Sequence, residues 1–172
     1  MKTKLIVMLV VILGLSFTNC KEKEQTPIIE ESKVDILNDD FPEAKAEIKK
    51  VIDDIFKCFQ ENDADKLIAH HIYGSKFTEF RNDEPRFGSE ENEAYERGFV
   101  GAISNFDYTL GGLKIDVFGD VSVVTFEADF RPKIQEQTPQ IWANVTLVFI
   151  KVNNTWKITH EHFSQFEKTK NV

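Results

Sequence analysis

The sequence predicts one α+β domain, because helical patterns occupy its first half and β-rich runs occupy its second half. Between residues 43 and 61, apolar residues recur every three or four positions, which is the pattern of one face of a long helix. From residue 106 onwards four β-rich runs follow, and the joints Gly119-Asp120 and Asn153-Asn154 are typical of tight hairpins. We therefore expect N-terminal helices packed on one face of a curved antiparallel sheet.

The remaining elements follow from local patterns. The predicted long helices are amphipathic and lie at about 43–61 and 89–104, with a short helix through Lys66, Leu67 and His70 between them. The predicted strands are β-rich and lie at about 76–80, 106–118, 121–133, 140–152 and 155–166. Residues 82–89 read as a polar loop. Asp63 can cap the second helix, and His70 and His71 then lie near its end as surface or rim residues.

Length and charge restrict the class of protein. A chain of 172 residues with 15 Phe can build one substantial core. The net charge is -8, and the segment after Cys20 has 19 basic and 29 acidic residues, or -10. This balance argues against a nucleic acid partner, which requires a basic face. Cys58 lies in the first helical pattern and is expected to be a buried free thiol.

The first 20 residues have the pattern of an export signal. Lys2 and Lys4 precede an apolar run of 11 residues, Leu5 to Leu15, which is too short to span a bilayer. Ser16-Phe17-Thr18-Asn19-Cys20 then resembles a bacterial lipobox, in which the cysteine is acylated and becomes the first residue after cleavage. The departures are Asn19 where the pattern has a small residue and Phe17 where it has Leu. An ordinary secretory signal with Cys20 as a free thiol, or an uncleaved anchor, is the alternative.

The predicted organisation is therefore a lipoprotein signal at 1–20, a flexible tether at 21–41 and one domain at 42–168. The expected location is the bacterial cell envelope after export, at the outer membrane or surface. The expected partner is the membrane itself, which the protein would bind through a lipid anchor at Cys20, because two or three acyl chains suffice for stable anchoring.

The last strand carries a resemblance to a known family. Trp156-Lys157-Ile158-Thr159-His160-Glu161-His162-Phe163-Ser164 resembles the closing strand of SnoaL-like domains of the nuclear transport factor 2-like superfamily, W-x-I-x-H-x-H-x-S. The resemblance covers about 42–166. It implies a cone in which a strongly bent sheet wraps around the first helix, with a pocket between sheet and helices. Members of this superfamily include enzymes, ligand-binding proteins and assembly modules, so the fold does not settle the function.

Strict alternation would place Trp156, His160, His162 and Ser164 on the same covered face of the last strand, with Ile158. These residues are candidates to line the pocket. The histidines are either structural, hydrogen-bonded within the sheet, or contacts to a ligand, or catalytic acid/base groups. All three interpretations remain open at this point, because relatives without chemistry share the pair.

Tyr73 and Tyr95 are two further candidates for the pocket lining. No metal site is predicted, since His160 and His162 have no evident third ligand. No cofactor is predicted either, because the sequence lacks phosphate-binding loops, nucleophile elbows and Cys/His clusters.

The predicted function is a lipid-anchored pocket domain that binds a small hydrophobic molecule or serves as an assembly module of the cell envelope. The alternative is an isomerase- or dehydratase-type enzyme that performs acid/base chemistry on a small hydrophobic substrate. An enzyme requires a buried carboxylate or a Tyr/His pair with a perturbed pKa in the pocket, whereas a binding module requires only an apolar pocket. A homodimer is also expected, because the strand at 140–152 is apolar on both faces.

Overall fold

The computed structural model describes residues 34–82 and 84–168. The predicted signal and most of the predicted tether lie outside these residues. The described elements, in chain order, are α1 (Pro42–Glu61), α2 (Ala64–Ala69), β1 (Thr78–Arg81), β2 (Glu84–Phe87), α3 (Ser89–Ala102), β3 (Ile103–Phe118), β4 (Val121–Ile134), β5 (Ile141–Val152) and β6 (Thr155–Gln165). The predicted α+β class is confirmed, with helices first and the long strands last.

The first helix provides the core face that its periodicity predicted. Ile48, Ile52 and Phe56 of α1 are buried against the sheet. The helix ends at Glu61, and the next residue, Asn62, adopts a left-handed conformation and donates its backbone N–H to carbonyls of the last turn. The predicted cap of α2 is also present, since the Asp63 carboxylate accepts the Lys66 backbone N–H at 3.0 Å.

The described strands form one sheet in the order β2-β1-β6-β5-β4-β3. Strands β3 to β6 form an antiparallel meander, whereas β1 pairs with β6 in parallel. The hairpin turns include Gly119, Asn153 and Asn154 with positive φ, as tight turns require. The short strand β1 thereby lies beside the C-terminal strand, far from it in sequence.

One element differs from the prediction. Residues 84–87, expected within a polar loop, form strand β2 and pair with β1 in antiparallel register. A proline at position 85 is compatible with this strand because β2 is the edge of the sheet, where a missing backbone N–H interrupts no second ladder. Pairing with the edge of β1 stabilises a segment whose composition alone indicates a turn.

The core lies between α1 and the concave side of the sheet. Apolar side chains from β4, β5 and β6 meet the helix there: Val124, Phe126, Val145, Phe149 and Ile158. Among the described strands, three irregularities in pairing, two between β3 and β4 and one between β5 and β6, increase the local bend of the sheet. Within residues 34–82 and 84–168, no helix has the length and apolar character needed to cross a membrane.

Candidate functional site

A cavity of about 100 Å³ opens between α1, α3 and the concave face of the sheet. A single water needs about 10–15 Å³ in this measure, so the cavity has room for a small organic molecule. Its wall is mainly aromatic and aliphatic: Ile52, Ile55, Phe56, Phe59, Phe106 and Phe126. Among the described residues, this apolar wall is interrupted by one guanidinium group and two carboxyl groups, namely Arg81 of β1, Glu96 of α3 and Glu161 of β6.

A β-bulge in the last strand brings Glu161 into the pocket. Val148 pairs with His160 and Phe149 pairs with Ile158, so Thr159 is an extra residue on β6. One inserted residue exchanges the two faces of a strand, because side chains alternate with period two. The covered face therefore changes from Ile158 before the bulge to Glu161 after it.

The bulge explains where the structure places the histidines of the last strand. His160 and His162 turn away from the pocket and lie beside Phe80 of β1, with ring centroids at 5.8 and 6.1 Å. The nitrogen Nδ1 of His160 lies 2.8 Å from the hydroxyl oxygen of Thr78. Ser164 is exposed. These three residues are not brought to the pocket, because the alternation expected from Trp156 onwards is broken at Thr159.

The other three candidates have different positions. Tyr95 lines the pocket. Trp156 is buried, but it belongs to the core beside α1, where its indole N–H donates to Glu47 Oε2 at 2.9 Å. Tyr73 is half-buried and its hydroxyl donates to Glu96 Oε2 at 3.0 Å. Of the sequence-derived candidates, the structure therefore connects Tyr95 and Tyr73 to the pocket region.

The ionisable centre of the site is His71, which the sequence suggested as a surface or rim residue. It is buried because a short parallel bridge pairs it with Ile158 of β6. Its Nε2 lies 3.3 Å from Glu161 Oε1 and 3.5 Å from Glu96 Oε1. One imidazole thus contacts both pocket carboxyl groups.

The protonation of His71 follows from its partners. Its Nδ1 lies 3.1 Å from the carbonyl oxygen of Leu67, which can only accept, so Nδ1 carries a proton. A neutral ring would then present a lone pair at Nε2 to Glu161 and Glu96. At least one further proton must lie among these three groups, since facing lone pairs repel.

The pKa values agree with this geometry. Burial lowers the pKa of His71, but attraction to the Glu161 and Glu96 carboxyl groups outweighs it and raises the pKa to about 9. Burial raises the pKa of Glu96 to about 7, against the lowering effect of the His71 imidazolium. The site therefore contains a histidine that is cationic at neutral pH and a carboxyl group that exchanges its proton near neutral pH.

Glu96 is positioned from the helix side by a hydrogen-bonded chain. Asn92 Nδ2 donates to the Tyr73 hydroxyl at 2.9 Å, and this hydroxyl donates to Glu96. Asn92, Glu96 and Val100 are spaced four residues apart on α3 and are all buried. That spacing is a signal that could have identified Glu96, because residues four apart lie on one face of a helix and Val100 is an apolar residue on that face.

The same three residues offer donor atoms that could hold a divalent cation. His71, Glu96 and Glu161 each place one ligand atom within 4.8 Å of the others. A tetrahedral ion with bonds of about 2.1 Å would separate its ligands by about 3.4 Å, which is close to the two distances at Nε2. The donor set is thus compatible with either a proton or a metal ion, and measurement of metal content distinguishes the two.

Solved structures share the fold at low sequence identity. A candidate dehydratase of the NTF2-like family from Streptomyces avermitilis is similar to this chain with a TM-score of 0.67 and 13% identity, covering 74% of this chain and 99% of that one. A superfamily protein from Salmonella enterica has a TM-score of 0.65 and 21% identity, covering 75% and 95%. A candidate scytalone dehydratase from Novosphingobium aromaticivorans has a TM-score of 0.64 and 12% identity, covering 75% and 89%.

No functionally curated protein matches the chain. The SnoaL-like domain family matches residues 48–167, from the first half of α1 to two residues past the end of β6. This match covers both pocket carboxyl groups as well as the Trp-to-Ser pattern of the last strand. The chain therefore belongs to the SnoaL-like domain family, and its fold is that of the NTF2-like superfamily.

Proposed function

We propose that this protein is an acid/base enzyme of the isomerase or dehydratase type that acts on a small hydrophobic molecule. The observation that carries the proposal is the placement of Glu96 and Glu161 in the wall of an otherwise apolar pocket, with His71 between them. This arrangement meets the condition that separates an enzyme from a simple binding module, namely a buried carboxyl group with a perturbed pKa.

The two carboxyl groups support two complementary roles. Glu161 Oε2 is buried and has no hydrogen-bond partner among the described residues, so this atom is available to accept a proton from a bound substrate. Glu96, with a pKa of about 7, can hold a proton at neutral pH and donate it to a substrate oxygen. One proton is taken and one is given, which is the balance that isomerisation or loss of water requires. The positive charge of the His71 imidazolium offsets the negative charge of the pair formed by Glu96 and Glu161.

Hydrogen exchange tests this chemistry without knowledge of the natural substrate. The purified full chain would be incubated in D2O with a panel of small aryl and cyclic ketones, and deuterium incorporation next to the carbonyl would be measured by mass spectrometry. We expect exchange of at least one compound, and a decrease of about 100-fold or more in Glu161→Gln. The matched control is Glu127→Gln, which changes an exposed carboxylate on the convex side of the sheet and should leave exchange unchanged.

Two results would contradict the proposal. One is equal exchange by the wild-type protein and Glu161→Gln. The other is a stoichiometric divalent metal in the purified protein that is lost in Glu161→Gln, because the cluster would then be a metal centre. Mass-spectrometric metal analysis of both proteins measures this directly.

We also propose that the enzyme is anchored to the cell envelope by lipid at Cys20. The support is the sequence pattern of an 11-residue apolar run followed by a cysteine and an abrupt charged segment. Cys20→Ala should leave the precursor uncleaved or release the protein from the membrane fraction. Unchanged fractionation together with an unchanged mature mass would contradict the anchor and leave the proposed chemistry unaffected.

A further inference from the structure

Arg81 is the only basic side chain of the described residues that lines the pocket. It lies at the end of β1, where the parallel register places it beside Phe163 of β6. The same register places Glu79, two residues earlier, beside Glu161. Arg81 therefore lies next to position 163, which is two residues along β6 from the proposed catalytic Glu161 and on the same face of the sheet.

A buried carboxylate holds this guanidinium in place. Glu79 is fully buried, and its Oε1 accepts from Arg81 Nε at 3.0 Å and lies 2.9 Å from Arg81 Nη2. Its second oxygen, Oε2, accepts from Arg86 Nη1 at 3.2 Å. Two guanidinium groups thus share one carboxylate, and a buried ion pair of this kind fixes the orientation of the planar head group.

Aromatic rings of the pocket wall also contact this head group. Arg81 Cζ lies 4.5 Å from the ring centroid of Tyr95 and 4.2 Å from that of Phe163. Both distances are in the range of cation–π contacts, which pre-organise the guanidinium without using its N–H donors. Glu79 engages only Nε and Nη2, and Nη1 of Arg81 has no hydrogen-bond partner within residues 34–82 and 84–168.

We infer that Arg81 is the anion-binding residue of this pocket, and that the substrate is a hydrophobic molecule that carries one carboxylate or comparable oxyanion. A fixed guanidinium with an unused N–H edge in an apolar cavity matches the planar geometry of a carboxylate. Two residues along a strand span about 6.6 Å, so the oxyanion would lie about that far from the atom that reacts at Glu161. This inference rests on the proposed function, because it names the substrate class of the same pocket.

Calorimetric binding of two matched compounds tests the inference. The probes are 4-ethylbenzoate and 4-ethylbenzamide, which have the same apolar part and differ in the charge of one group. We expect the full chain at pH 7 to bind the benzoate at least ten times more tightly than the benzamide. Arg81→Met should reduce this ratio to about threefold or less, while Arg81→Lys should retain part of it.

Two controls keep the experiment interpretable. Arg97→Met removes an exposed arginine that pairs with Asp65 and Glu93, and it should not change the ratio. If Arg81→Met alone does not fold because Glu79 loses a partner, the double variant Glu79→Gln/Arg81→Met removes both charges and should show the same loss of preference.

The outcomes distinguish failure of the inference about Arg81 from failure of the proposed acid/base function. Equal affinity for the two probes, no binding of either at millimolar concentration, or a preference that persists in Arg81→Met would overturn the inference. Such results together with deuterium exchange that depends on Glu161 would leave the proposed function intact. A preference that depends on Arg81, in a protein without exchange activity, would instead indicate a binding protein for hydrophobic carboxylates.

Discussion

Nε2 of His71 lies 3.3 Å from Oε1 of Glu161, although the two residues are 90 positions apart in the chain. The parallel bridge between His71 and Ile158 brings α2 next to the last strand, and the bulge at Thr159 turns Glu161 towards the imidazole. A link between two distant backbone segments thus creates the charged centre of an otherwise apolar pocket.

The first prediction concerns the charge of His71. In the wild-type protein, the imidazole should titrate with a midpoint near pH 9, because Glu161 and Glu96 stabilise its cationic form. Glu161→Gln should lower this midpoint by at least one pH unit, since the nearest negative charge is removed. NMR of the histidine ring nitrogens measures the titration, and an unchanged midpoint in Glu161→Gln would contradict the pairing.

The second prediction is a decrease in stability at alkaline pH. Between pH 6.5 and about 9 the folded protein keeps a proton on His71 that the unfolded chain loses. The stabilisation is therefore complete below pH 6.5, and the free energy of unfolding should fall as the pH rises, by on the order of 3 kcal/mol. Urea denaturation at pH 6.5 and 9 measures it. The double variant His71→Gln/Glu161→Gln should lack this decrease, and an equal decrease in the variant would refute the assignment.

The third prediction tests the chain that positions Glu96. Tyr73→Phe removes the hydroxyl that donates to Glu96 and accepts from Asn92, leaving two buried groups with one partner fewer. We expect a loss of about 1–3 kcal/mol in the free energy of unfolding. Tyr95→Phe is the control, since it keeps the ring at the pocket and no hydrogen bond of its hydroxyl exists among the described residues. Equal losses in both variants would argue against the chain.

The fourth prediction separates the two histidines of the last strand. His160→Ala removes the contact with Thr78 and should lower the melting temperature by about 3–5 °C, which corresponds to about 1 kcal/mol. His162→Ala, at an exposed position, should have a smaller effect. Neither variant should reduce deuterium exchange, because both rings lie outside the pocket. Loss of deuterium exchange with an unchanged melting temperature in His160→Ala would contradict the structural role and indicate that His160 is catalytic.

The fifth prediction is self-association through the convex face of the sheet. The half-buried side chains Trp142, Val148 and Ile150 lie on the face of β5 opposite the core. Light scattering on the chain without residues 1–20 should give a dimer, and Val148→Lys should shift it towards a monomer. Ile36→Lys adds the same charge at an exposed apolar position outside the sheet and should leave the dimer unchanged. A monomeric wild-type protein at high micromolar concentration would contradict this prediction.

The sequence by itself determined the class of the fold and most of its elements. The periodicity of α1, the cap at Asp63 and the hairpin turns at Gly119 and Asn153 are local features, and local interactions suffice to specify them. The pattern of the last strand also identified the family correctly, since it depends on residue identity and not on which way each side chain points.

Only the tertiary structure decided which residues form the site. Strand β2 exists because β1 offers it an edge, and His71 is buried because β6 pairs with the end of α2. The extra residue at Thr159 has no sequence signature, yet it exchanges the faces of β6 and places Glu161 in the pocket where the alternation indicated His160. Each of these outcomes depends on contacts between segments far apart in the chain, whereas a residue pattern reports only on its own neighbours.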